Sequence, residues 1–247
     1  YMFKDLNMLA ELNVSSFETQ NVNNMEYMFY GCQNLISLNI SNFNTKQVTK
    51  MNNMFSYCSG LRAIDVSNFD THNVENMTEM FSSCREISSL NLSNFDTRYA
   101  KYMSGMFSGC SKLQNINLTS FITSEVVDFS NMFNFCQKLT SINISNFDTR
   151  KATNLYGMFQ YCNSLTSIDI SNFITSQVKD MSYLFTYCVS LKYLNLTNLD
   201  TSNLERMNGM FSSLESITSL DLSNFKTNKV TGMANLFQNC FSLQYLD

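Results

Sequence analysis

At 247 residues and 44% hydrophobic content, the chain can bury a large core. A formal net charge of -4 and a pI near 5.0 weigh against a nucleic-acid partner. Apolar runs of only a few residues exclude a membrane-spanning helix, and no charged-then-apolar leader opens the chain.

A phenylalanine sets the phase of everything else. Phe3, Phe29, Phe55, Phe81, Phe107, Phe133, Phe159, Phe185, Phe211 and Phe237 follow one another at intervals of 26 residues. The consensus reads F-x-x-C-x-x-L-x-x-L-N-L-S-N-F-D-T-x-x-V-x-x-M-x-x-M. A period that never slips means a solenoid, in which each repeat touches mainly its neighbours. Residues 1–247 thus read as one solenoid of roughly 9.5 repeats. The chain starts and stops inside a repeat, and solenoids normally carry polar caps. The expectation is a piece of a longer protein, without its caps, targeting signal or anchor.

Within a repeat, the first element is helical in pattern. Val22, Met25, Met28, Phe29, Cys32 and Leu35 fall within about 140° of one another at helical pitch. This predicts one short helix or 3₁₀ segment per coil. Cys32, Cys58, Cys84, Cys110, Cys136, Cys162, Cys188 and Cys240 share one column of that arc. Their even number suggests disulfides, but a single inward column suggests buried free thiols instead. The Met columns, such as Met51 with Met54, read as core packing or as a soft metal site.

The second element has strand period. Leu38 and Ile40 point inward and Asn39 outward, predicting one short parallel strand per coil. Coils spaced by strand pairing, about 4.8 Å, would stack into a rod on the order of 45 Å long. A threonine column then runs from Thr19 to Thr227, three residues before each helical pattern. Such a Thr can cap a helix, and a preceding acid such as Asp70 or Asp148 suits the helix dipole. A regular Thr ladder could instead form an ice- or mineral-binding face.

Chemistry-bearing constellations are scarce. His72 is the lone histidine, the acids are scattered, and seven glycines form no phosphate loop. The sequence therefore reads as non-enzymatic, with no cofactor and no metal site. Surfaces remain. Asn91, Asn117, Asn143, Asp169 and Asn195 occupy one outward column of the strand, flanked by small hydroxyls, and form the first candidate recognition face. The alternative reading is that Asn and Ser here merely keep the face soluble. Phe135, Tyr161 and Tyr187 form a second candidate, an aromatic row at the rim of the helical arc, or else edge packing.

The phrase M-F-x-x-C-x-x-L-x-x-L-[ND]-L-S-N-F-D-T-x-x-V-x-x-M resembles the BspA-like leucine-rich-repeat surface proteins. The match covers the whole chain. Departures keep polarity: Leu214 stands for Cys, Leu199 for Phe, and Phe129 and Leu155 for Met. The resemblance implies an α/β repeat solenoid, a right-handed leucine-rich-repeat superhelix. It also implies a cell-surface or extracellular place, and adhesion or recognition with a protein or glycan as partner. Self-association into a coat, sheath or fibre is the alternative. Phe43 and Phe69 stand where common leucine-rich repeats bury an Asn, so any Asn ladder must be different or absent.

Overall fold

A computed structural model describes residues 1–247. The chain is a repeat solenoid. Parallel bridges join residues one period apart without interruption, from Asn24↔Lys50 and Lys50↔Asn76 through to Arg206↔Gly232. The expected inner strand exists but is short. β1 (Ser89–Leu90) pairs in parallel with β2 (Asn115–Ile116), and β3 (Ser219–Leu220) with β4 (Tyr245–Leu246). It cannot lengthen because a turn follows at once: the Phe95 N–H returns to the Leu92 carbonyl at 3.0 Å, and Phe121 to Leu118 at 3.0 Å.

The expected helix is absent. The stretch from Met25 to Leu35 is a run of tight turns, in which Met28, Tyr30 and Cys32 N–H groups bond three residues back. The alternate N–H groups bond the next coil: Met25 to Lys50, Tyr27 to Asn52, Phe29 to Met54 and Gly31 to Ser56, at 2.9–3.1 Å. The physical cause is two left-handed residues in each coil, four apart, such as Asn53 with Tyr57 and Asn131 with Phe135. A left-handed residue turns its neighbours' amides out of the helix axis and stops i→i−4 bonding. Turns of this kind bury positions three and four apart, so they imitate the helical period.

Behind both faces lies one continuous core of 67 buried hydrophobic residues. The phase-setting phenylalanines stack ring on ring, with Phe29–Phe55 at 5.6 Å and Phe133–Phe159 at 5.8 Å between centroids. All eight cysteines are free, and all but Cys240 are fully buried. Each thiol donates to a phenylalanine carbonyl of the preceding coil, as Cys110 does to Phe81 at 3.2 Å. The Met columns, including Met51, Met54, Met77 and Met80, are buried in the same core.

The threonines do not cap helices, because there are none to cap. Thr45 Oγ1 donates to the Asp70 carbonyl and accepts the Asp70 N–H, both at 2.8 Å, and Thr97 treats Ile122 alike. Each buried Thr is thus an extra rung between coils. Thr19 through Thr201 in this column are buried, so they present no ice- or mineral-binding face. The acids before them serve a turn rather than a dipole: Asp148 Oδ1 accepts the Arg150 N–H at 3.1 Å.

The Asn ladder is different rather than absent. It sits one residue before the second Phe. Asn68 Nδ2 donates to the carbonyls of Ile40 and Phe43 at 3.1 and 2.8 Å, and Asn94, Asn146 and Asn172 repeat the pattern.

Candidate recognition surfaces

The first candidate face lies where the strand period places it. Asn91, Asn117, Asn143, Asp169 and Asn195 are all exposed. Their side-chain oxygens are already engaged: each accepts the N–H two residues on, at 3.2, 3.1, 3.1, 2.9 and 3.1 Å in that order. These bonds close the turn that ends the strand, as Asx turns do. The column therefore has a structural duty, and offers a ligand mainly the amide NH₂ groups. Hydrogen bonds from Ser171, its hydroxyl first and its N–H second, hold the Asp169 carboxyl below the usual range. Tyr193 breaks the neighbouring serine column and is 68% exposed. Sequence reasoning passed over it, and over Tyr245 in the same column, although both breaks were visible.

The second candidate is assembled more tightly. Phe135 and Tyr161 stack with centroids 4.2 Å apart and planes 11° apart, and Tyr161 and Tyr187 at 4.5 Å and 8°. The three rings form one ladder across three coils. All three residues have left-handed backbone, with φ of 58°, 60° and 59°. The same column holds Asp5, Gly31, Tyr57, Ser83, Gly109, Ser213 and Asn239, most of them residues that enter this region more easily than a bulky side chain does. A bulky L-residue costs roughly 1 kcal/mol or more there, which offset stacking of about 0.5–1.5 kcal/mol per pair repays in part.

Beside Phe135 is a depression of about 410 Å³, lined by Arg85, Ser108, Gly109, Ser111, Gln137 and Ser83. It meets, at Ser108, a second one of about 490 Å³ that holds Glu79, Asn131, Asn134 and Gln160. Burial raises the Glu79 carboxyl above its usual range. His72 lies apart from both, its Nδ1 against Asp70 Oδ1. No helix of the structure is long and apolar enough to cross a membrane.

Backbone rungs inside and replaceable side chains outside define a repeat solenoid. The chain belongs to the family described as "Mycoplasma protein of unknown function, DUF285", which matches residues 1–115, 83–173 and 153–246. No curated protein matches it. Solved structures that it resembles are leucine-rich-repeat proteins. One from T. pallidum is 18% identical over 60% of this chain and 62% of its own, with a TM-score of 0.40. One from Bacteroides ovatus is 18% identical over 93% and 73%, with a TM-score of 0.37. A leucine-rich cell surface protein from Faecalibacterium prausnitzii is 17% identical over 90% and 75%, with a TM-score of 0.34. The chain thus spans less than two thirds of the T. pallidum protein it matches.

Proposed function

We propose that this chain is a non-enzymatic recognition module of a BspA-like surface or secreted protein, binding a protein or glycan on another cell or surface and so mediating adhesion. The observation that carries the reading is the row Phe135, Tyr161 and Tyr187. Three aromatic residues in successive coils occupy left-handed positions that glycine, serine or asparagine fill in most other coils, although Tyr57, between Gly31 and Ser83, is a further aromatic in the column. Nothing in the frame requires rings there, since the frame closes equally well around Gly109 and Ser213. Rigid aromatic groups with one exposed edge are effective anchors for a partner surface. The strand face, with Asn91 to Asn195 and Tyr193, offers a second and more polar contact region.

The test is an array of glycans and host proteins probed with the purified chain and with a Tyr161→Ser, Tyr187→Ser double variant. Ser occupies this column at Ser83 and Ser213 with the same backbone, so the variant should keep the fold. Selective binding that the variant loses is the expected result. An array on which the chain binds nothing would remove the reading.

A further inference from the structure

The stack ends abruptly at Phe135. Tyr161 covers one face of its ring, while the equivalent position in the preceding coil is Gly109, which has no ring to cover the other. Phe135 is 41% exposed and borders the depression of about 410 Å³. The missing rung therefore leaves a slot where a further six-membered ring would continue the ladder.

The other groups in the slot are polar. Ser108, Ser111 and Gln137 offer hydroxyl and amide groups, and the adjoining depression adds Asn131 and Asn134. An aromatic ligand would set apolar edges against these hydrogen-bonding groups and strip them of water at a cost. A pyranose has an apolar C–H face for the ring and equatorial hydroxyls for the rim. Arg85 adds a charge. Arg98, Arg150 and Arg206 each hold a carboxylate, but Arg85 holds none, and Glu86 beside it is paired with Lys112 at 2.6 Å. A free guanidinium recognises carboxylate through paired N–H donors. Glu79, in the other depression, sets the opposite polarity, so an anionic group is directed toward Arg85.

We propose that this slot binds a carboxylated pyranose of an acidic glycan, its ring stacked on Phe135 and its carboxylate on Arg85. The inference rests on the recognition reading and names its ligand class. Uronic acids and sialic acids share this chemistry.

Titration calorimetry at low salt tests it, with a glucuronate–N-acetylglucosamine tetrasaccharide, sialyl-lactose, and the neutral controls chitotetraose and lactose. At least one acidic probe should bind, and which one does identifies the source. Phe135→Ser and Gly109→Tyr should each weaken it about tenfold or more, the first by removing the platform and the second by filling the slot. Both substitutions place residues that the column already holds elsewhere. Arg85→Gln should weaken the acidic probe about tenfold and leave any neutral binding unchanged. The proposal is overturned if no acidic probe binds the parent chain, if Gly109→Tyr and Phe135→Ser bind unchanged, or if Arg85→Gln does not discriminate acidic from neutral probes. Array binding that still depends on Tyr161 and Tyr187 in any of those cases would leave the recognition reading standing.

Discussion

Single side chains do the work of backbone in this chain. Thr97 Oγ1 takes one N–H and gives one O–H to Ile122 of the next coil, both at 2.8 Å. Thr97→Val keeps the shape and strands both groups in the interior. An unsatisfied buried polar group costs about 1–3 kcal/mol, so a loss of about 2–4 kcal/mol in denaturant unfolding is expected. The thiols make a second case. Burial pushes the Cys110 and Cys188 thiols up to about 12 from an ordinary 9.0. The folded state thus keeps protons that the unfolded state releases above about pH 9, and stability should fall as pH rises from about 9 toward 12. Below that window these groups leave stability unchanged. Titration with a thiol reagent should find the buried thiols silent in the native protein, and all eight cysteines reactive after unfolding without reductant. Fewer than eight after unfolding would mean disulfides.

At the scale of elements, the turn side carries most of the hydrogen bonding between coils. A typical joint there has five backbone bonds: Met77, Glu79, Phe81 and Ser83 to the next coil at 2.6–3.0 Å, and Lys101 back to Glu75 at 2.9 Å. The strand side has fewer at most joints, such as the single bonds of Gln114 to Ser88 at 3.1 Å and Arg62 to Ile36 at 3.2 Å, with a fuller set where β3 meets β4, including Gln244 to Thr218 at 2.9 Å. Far-ultraviolet circular dichroism should therefore lack the helical double minimum; a strong one would mean that the turn run is misplaced. This is also where the sequence misleads. The period, the buried columns, the free thiols and the short parallel strand were legible because they follow from repeated apolar residues. The turns were not. Fourteen non-glycine residues have left-handed backbone beside five glycines, and they include Tyr27, Glu79 and Phe135. No residue type marks those positions, so spacings of three and four read as a helix. The Thr column was visible, but its partner lies one coil away, and a local rule assigned it to a cap. The aromatic row was legible as a column; its stacking, its strained backbone and the open slot beside it were not.

Across the whole molecule, stability is a sum over neighbouring coils. Phe107→Ala, in the middle of the stacked column, should cost about 3–5 kcal/mol through the cavity it leaves, without revealing any binding site. Lys101 with Glu75 and Lys151 with Glu125 join coils at 3.0 and 2.7 Å, but they are exposed and add little. The frame is thus independent of the decoration, and function can be moved by changing outward residues alone. Whether binding resides on the turn side is the central claim, and one comparison tests it most directly: array binding by the Tyr161→Ser, Tyr187→Ser variant against an Asn91→Asp, Asn117→Asp, Asn143→Asp variant, with circular dichroism on both. Aspartate already serves this column at Asp65, Asp169 and Asp221, where its oxygen accepts the same turn N–H at 2.9 Å. The account predicts that the tyrosine variant loses binding about tenfold or more while the aspartate variant stays within about twofold of the parent. Full binding by the tyrosine variant with loss in the aspartate variant, both folded, would contradict it and place recognition on the strand face.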